Sequence, residues 1–273
     1  MRTILVSGGN SGIGLEAART FLAGGHRVII LGRDRRKGEE ALSSFGKVAE
    51  RAAFLPVDLS THAGVRDAAG RVLAESERLD AVLHSTGVFT PNRDIRTADG
   101  LNLYFAVNYL SRYHLTQLLL PSLGASEHGR VVMMNPKVDP ATRVELELFP
   151  DLDPFDYKRV GDQVSACNHH YAAYLASENP GIVTGVVNAG AVKTDILRLT
   201  PWHMRGIARV MGPFFFNSVT ESAHNAVEAC LRDNVPSATY WEKPGDFDHR
   251  RPIVVDAATT AGVIGFSEAI TGA

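Results

Sequence analysis

Cysteine is almost missing from this chain: Cys167 and Cys230 are the only two in 273 residues. Two thiols cannot make a disulfide framework, and neither sits in a spacing that would ligate zinc. No run of about 18 apolar residues occurs, so no membrane span is expected. Charge of one sign is missing too. Lys and Arg number 28 against 30 Asp and Glu, a formal net charge of −2, which gives nucleic acid or an anionic membrane no electrostatic hold. There is no internal repeat, no low-complexity tract and no linker rich enough to divide the chain, so one domain over residues 1–273 is expected. The opening "MRTILVSGG" runs directly into an apolar strand without signal-peptide anatomy, and the expected location is cytoplasmic.

What is present is alternation. Short apolar, β-branched runs at 3–8, 27–32, 52–59, 79–85, 129–135, 181–189 and 237–242 are separated by longer segments with apolar residues three and four apart. The strand runs are continuously apolar, as parallel strands covered on both faces require. The glycine pair closing "IGLEAARTFLAGG" suits a helix C-terminus. The reading is an α/β fold: a Rossmann-type doubly wound parallel sheet of about seven strands flanked by helices.

The first strand enters "SGGNSGIG" (7–14) and then a helix. Gly8, Gly12 and Gly14 let the backbone approach a pyrophosphate, with Asn10, Ser11 and Ile13 completing the turn, while the helix N-terminus offers N–H groups and a positive dipole. The second strand ends "ILGRDRRKG". Arg33, at the strand end ahead of Asp34, favours the 2′-phosphate of NADP(H) over the free ribose of NAD(H). Arg36 and Lys37 read as solvated charges opening a helix.

With these residues in place, the chain resembles the short-chain dehydrogenase/reductase family over almost its whole length. "SGGNSGIG" is similar to that family's TGxxxGxG. "VDLS" (57–60) resembles its DL pair, which implies that Asp58 and Leu59 meet the adenine. "HSTG" (84–87) stands where the family has NNAG, implying cofactor contacts at Ser85, Thr86 and Gly87. "FAVNYLSRYHLT" (105–116) resembles the segment with the helical asparagine, here Asn108. "GAVKTDI" (190–196) resembles PGxxxT, keeping Thr194 for the cofactor while Ala189 replaces the proline. The long insert after the fifth strand and the "WEK" tail (241–243) point to the retinol-dehydrogenase-like branch.

The family's proton machinery is a serine after the fifth strand, and a tyrosine with a lysine four residues on. "RVVMMNP" puts Pro136 in the serine's place, and counting back from "ACN" (166–168) puts Gly161 and Ser165, in "GDQVS", at the other two. Neither Pro136 nor Gly161 carries a hydroxyl, so ordinary ketone reduction by the family's route is disfavoured. NADP(H)-dependent reduction of an iminium ion or a conjugated carbonyl, or cyclisation by orientation alone, remains open. The alternative is a catalytically inactive relative acting as cofactor sensor or as partner of an active homologue. Candidate catalytic residues are Asn108, Tyr157, Asp139 and Lys137. His84, His169 and His170 are more readily explained by packing. No metal site is expected. Residues 196–219, with Trp202, Met204, Met211 and Phe214–Phe216, fall where the family has a substrate lid and imply a hydrophobic small-molecule substrate. Three consecutive phenylalanines cannot share one helix face, so at least one is expected to meet ligand or a second copy of the chain, which leaves a homo-oligomer open.

Overall fold

The structure is a computed structural model and describes residues 1–90, 94–139, 142–145, 156–192 and 217–273. The elements run β1 (Thr3–Ser7), α1 (Gly12–Ala23), β2 (Arg27–Gly32), α2 (Arg35–Ser44), β3 (Ala52–Pro56), α3 (His62–Glu75) and β4 (Ala81–His84). A continuous helix follows, made of α4 (Leu103–Phe105), a π-turn (Ala106–Leu110) and α5 (Ser111–Gly124). Then come β5 (Arg130–Asn135), α6 (Tyr157–Glu178), β6 (Val183–Asn188), α7 (Val219–Leu231), β7 (Thr239–Trp241), β8 (Arg250–Pro252) and α8 (Ala257–Thr271).

The sheet order is β3-β2-β1-β4-β5-β6-β7-β8. All pairs are parallel except the last, in which β8 runs antiparallel to β7. The chain order reverses between β1 and β4, and a crevice opens there at the carboxyl ends of the strands. The sheet therefore has eight strands where the sequence pattern gave about seven. The eighth is three residues, "RRP", with two of them exposed. A short charged strand ending in proline carries no hydrophobic signal, and its composition suits a sheet edge.

The apolar strands are buried on both faces because successive side chains point to opposite sides. Leu5, Ile29, Val82, Val131 and Val186 join the core under α3, α5 and α6. Ile4, Val6, Val28, Leu83 and Val132 join the core under α1 and α7. Helix ends are held by side-chain caps at Asp34, Thr61, Asp156, Ser218 and Asp256, each accepting a backbone N–H of its first turn. Helix α1 is the exception: its N-cap Ser11 makes no side-chain cap bond.

The π-turn also has a local cause. It is centred on Asn108, whose carbonyl accepts from Asn168 Nδ2 of α6 at 3.1 Å. A side-chain donor entering the helical ladder displaces the regular bonding and widens the turn.

Candidate active site

A cleft of about 560 Å³ opens at the carboxyl ends of the central strands. One half is built by the glycine turn. Gly8 has φ +75°, and a Cβ there would stand 2.8 Å from the Thr86 backbone; a Cβ on Gly14 would stand 2.5 Å from the Gly8 carbonyl oxygen. Only glycine lets the turn fold this tightly against both the end of β4 and the start of α1. The first-turn N–H groups of α1, uncapped by any side chain, face this cleft together with Asn10, Ser11, Gly12 and Ile13.

At the end of β2 the side chains divide the work. The Asp34 carboxylate accepts from Lys37 N at 3.1 Å as the cap of α2. Arg33 is exposed, lines the cleft and makes no ion pair among the described residues. Arg36 pairs with Glu40 one turn along. Lys37, read from sequence as a solvated charge, instead lies on the cleft wall, so the cationic end is broader than Arg33 alone. Asp58, Leu59, Ser85, Thr86 and Gly87 also line the cleft. The Thr86 hydroxyl is buried without a partner. A cradle closed to Cβ atoms, an open helix N-terminus and a cationic rim fit a phosphorylated dinucleotide. Thr194 lies outside the described residues, as do residues 196–216 of the expected lid.

The other half of the cleft lies between the α4–α5 helix, the end of β5 and α6. Pro136 lines it, while Gly161 and Ser165 are not among its lining residues. The "GDQVS" residues hold structure together. Gln163 Oε1 accepts from Glu145 N at 2.9 Å, and Asp162 pairs with Lys158 at 3.0 Å. The Ser165 carbonyl accepts from Asn135 Nδ2 at 3.0 Å. Val164 alone of the five faces the cleft.

Asn108 lines the cleft and clamps Val88, accepting from its N–H at 2.9 Å and donating to its carbonyl at 3.0 Å. Tyr157 also lines the cleft and is half-buried, edge-on to Phe89 at 4.6 Å between ring centroids. Lys137 and Asp139 are exposed and lie outside the lining, so the structure does not bring them to the other candidates. The histidines belong to packing. His84 Nε2 pairs with Thr116 Oγ1 at 2.8 Å in full burial, which pulls its pKa down to about 3. His169 hydrogen-bonds the Ser165 carbonyl at 3.0 Å and meets the Tyr240 ring, and His170 reaches Thr260 of α8 at 2.8 Å.

Two residues that the sequence reading did not single out stand on the same wall. Tyr104 and Arg112 flank Asn108 at a spacing of four on the continuous helix, and all three line the cleft. Arg112 is 4% exposed and has no ion-pair partner among the described residues. Its guanidinium donates to the Met134 carbonyl at 2.7 Å and the Thr86 carbonyl at 3.1 Å, and its Nε is unpartnered. Burial pulls its pKa down to about 10, which leaves it charged at neutral pH. The Tyr104 hydroxyl lies 3.6 Å from where a Cβ on Gly161 would stand. A lone arginine within "FAVNYLSRYHLT" was the available signal. It is the only Lys or Arg between residues 101 and 124, and a charge is rarely buried without purpose.

Among the described residues, no group of three or more His, Cys, Asp or Glu is placed to hold a metal. Among them, too, no helix is long and apolar enough to cross a membrane.

Comparison with known proteins gives this geometry its context. Mouse retinol dehydrogenase 13 is 29% identical over 226 residues, covering 79% of this chain and 66% of its own. Human polyprenol dehydrogenase is 28% identical over 253 residues, covering 84% and 72%. The solved short-chain dehydrogenase of Sphingobium yanoikuyae, in complex with NADPH, shares the fold at a TM-score of 0.62 with 20% identity, covering 83% of each chain. The family pattern "short chain dehydrogenase" matches residues 2–138, just over half of the chain. Its strand order, glycine turn and cleft place this chain in the short-chain dehydrogenase family.

Proposed function

We propose that the chain is an NADP(H)-dependent reductase of a hydrophobic small molecule, working in a site whose proton-transfer residues differ from the family's usual set. The observation that carries the cofactor half is the uncapped N-terminus of α1 opening onto the same cleft as Arg33. Gly8, Gly12 and the α1 N–H groups would hold the pyrophosphate, Arg33 and Lys37 the 2′-phosphate, and Asp58 and Leu59 the adenine end. When bound, the nicotinamide supplies a hydride. A protein in the NADPH-bound state is known for the Sphingobium relative, and the names of the retinol and polyprenol relatives agree with an apolar substrate.

Pro136, Gly161 and Ser165 offer no acid of the usual kind. The substrate is therefore an electrophile whose reduced form survives without a proton from those positions: an iminium ion or a conjugated carbonyl. Val88, Phe89, Val107 and Val164 give the cleft an apolar wall suited to it.

The test is NADPH consumption measured against hydrophobic conjugated carbonyls, cyclic iminium ions and simple aliphatic ketones. Turnover confined to the first two classes supports the reading. NADPH binding with no turnover of any class would favour a cofactor sensor. Turnover of aliphatic ketones at about 1–10³ s⁻¹ would contradict the substrate assignment.

A further inference from the structure

Gly161 leaves a space on α6, and a phenol from another helix faces it. The Tyr104 hydroxyl stands 3.6 Å from the position a Gly161 Cβ would take, an ordinary van der Waals approach. Anything longer than a methyl group at residue 161 would meet that ring. Tyr104 itself is buried, lines the cleft and packs edge-on against Tyr157, with ring centroids 5.5 Å apart. Asn108 lines the same wall one helical turn on.

On the same cleft wall, eight residues along the helix, is the buried Arg112 guanidinium, which donates to two backbone carbonyls and to Asn168 and meets no carboxylate among the described residues. A buried cation without a counter-charge is costly. Its field acts across low-dielectric surroundings on whatever fills the cleft. An iminium ion would be repelled there. A carbonyl oxygen that gains negative charge during reaction would be stabilised, as by donors fixed in advance at a developing oxyanion.

We propose that Tyr104 is the proton donor of this site, that Arg112 stabilises the negative charge on the substrate oxygen, and that the substrate is a hydrophobic conjugated carbonyl compound rather than an iminium ion. This rests on the NADP(H) reading above. Bound reduced nicotinamide dinucleotide would supply a hydride, its own C–H bond breaking as a C–H bond forms at the β-carbon, while the C=C pair shifts toward the carbonyl carbon and the C=O pair moves onto oxygen. The Tyr104 O–H bond breaks as an O–H bond forms on that oxygen, giving an enol that tautomerises to the saturated carbonyl. The half-buried Tyr157 then returns a proton to Tyr104 from the solvent side.

The choice between the two phenols follows from their places. Tyr104 is buried, lies on the same helix and cleft wall as Asn108 and Arg112, and faces the space over Gly161. Tyr157 is half-buried at the start of α6. Burial raises the pKa of both.

Two experiments test this. The first needs no turnover: 4-nitrophenol, whose phenolate absorbs in the visible, is bound to the full chain with and without NADP⁺. Its apparent pKa should fall on binding by one unit or more. Arg112→Lys should keep most of that shift and Arg112→Met should lose it, with unchanged circular dichroism establishing that each variant is folded. The second compares kcat and KM for an active conjugated carbonyl. Tyr104→Phe should lower kcat by about 10²–10⁴-fold, leaving KM and NADPH affinity within threefold. A dye bound with no shift of its pKa would overturn the role of Arg112. A Tyr104→Phe enzyme within threefold of the parent rate, or a loss seen in Tyr157→Phe instead, would overturn that of Tyr104. If no substrate is turned over at all, the reductase reading fails, while the dye experiment still decides the Arg112 field.

Discussion

The two halves of the cleft are built on opposite plans. The dinucleotide half is made of backbone: glycines with no room for a Cβ, an uncapped helix end and a cationic rim at the end of β2. The other half is made of side chains: Tyr104, Asn108 and Arg112 come from the α4–α5 helix, Asn135 from the end of β5, and Val164 and Tyr157 from α6. Backbone machinery tolerates few sequences, so the first half keeps its pattern. Side-chain machinery can be moved to a neighbouring element if the geometry still converges. The second half is where we propose that this chain departs.

If that contrast is right, damage to the backbone half should be the more severe. Gly14→Val drives a side chain into the Gly8 carbonyl. It should weaken NADP(H) binding by at least about a hundredfold, ~2.7 kcal/mol. Calorimetry on a variant with a near-parental melting temperature checks this, and retained affinity would mean that the turn does not hold the pyrophosphate.

Acid should act mainly through the buried histidines, which pack behind the cleft and not in its wall. His84 faces Thr116 of α5, His114 lies in α5 and His169 lies in α6, with pKa values pulled down by burial to about 3, 4 and 4. Their folded values lie below the unfolded value of about 6.5. The unfolded chain therefore binds more protons, and stability falls as pH drops from 6.5 toward 4. His84 alone contributes a loss of about 2 kcal/mol at pH 5. Denaturant melts at pH 7 and pH 5 measure it. His84→Gln should flatten the slope between them, and an unchanged slope would remove His84 from the account.

Asn108 joins the halves, since its amide holds Val88 just beyond the proposed cofactor segment Ser85–Gly87. Asn108→Ala should cost about 1–2 kcal/mol, because Val88 is only half-buried and water can partly replace the amide. It should weaken cofactor binding at the same time. A variant with unchanged melting and affinity but no activity would return Asn108 to a directly catalytic role.

Much of this was legible in the sequence because it was local. The glycine turn, Arg33 and the apolar strands each carry their meaning within a few residues, and the strands appear where the apolar runs stand, β2 in full and the others trimmed by up to three residues at an end. Two things were not legible, for different reasons. Strand β8 is too short and too charged to show a period. Tyr104 and Arg112 look like a packing aromatic and a surface cation until α6 is folded against them. Only then does the Gly161 vacancy face a hydroxyl and Arg112 lose its access to water. Lys37 was misplaced similarly, because the turn from β2 into α2 aims it inward.

The central claim is that the backbone half is a working NADP(H) site. Calorimetric titration of NADPH and NADH into the parent protein and into Arg33→Ala tests it most directly. The 2′-phosphate should be worth about 1.5–3 kcal/mol, a preference for NADPH of roughly tenfold to a hundredfold, and most of that preference should vanish in Arg33→Ala. Equal or tighter binding of NADH by the parent, or an undiminished preference in the variant, would contradict it.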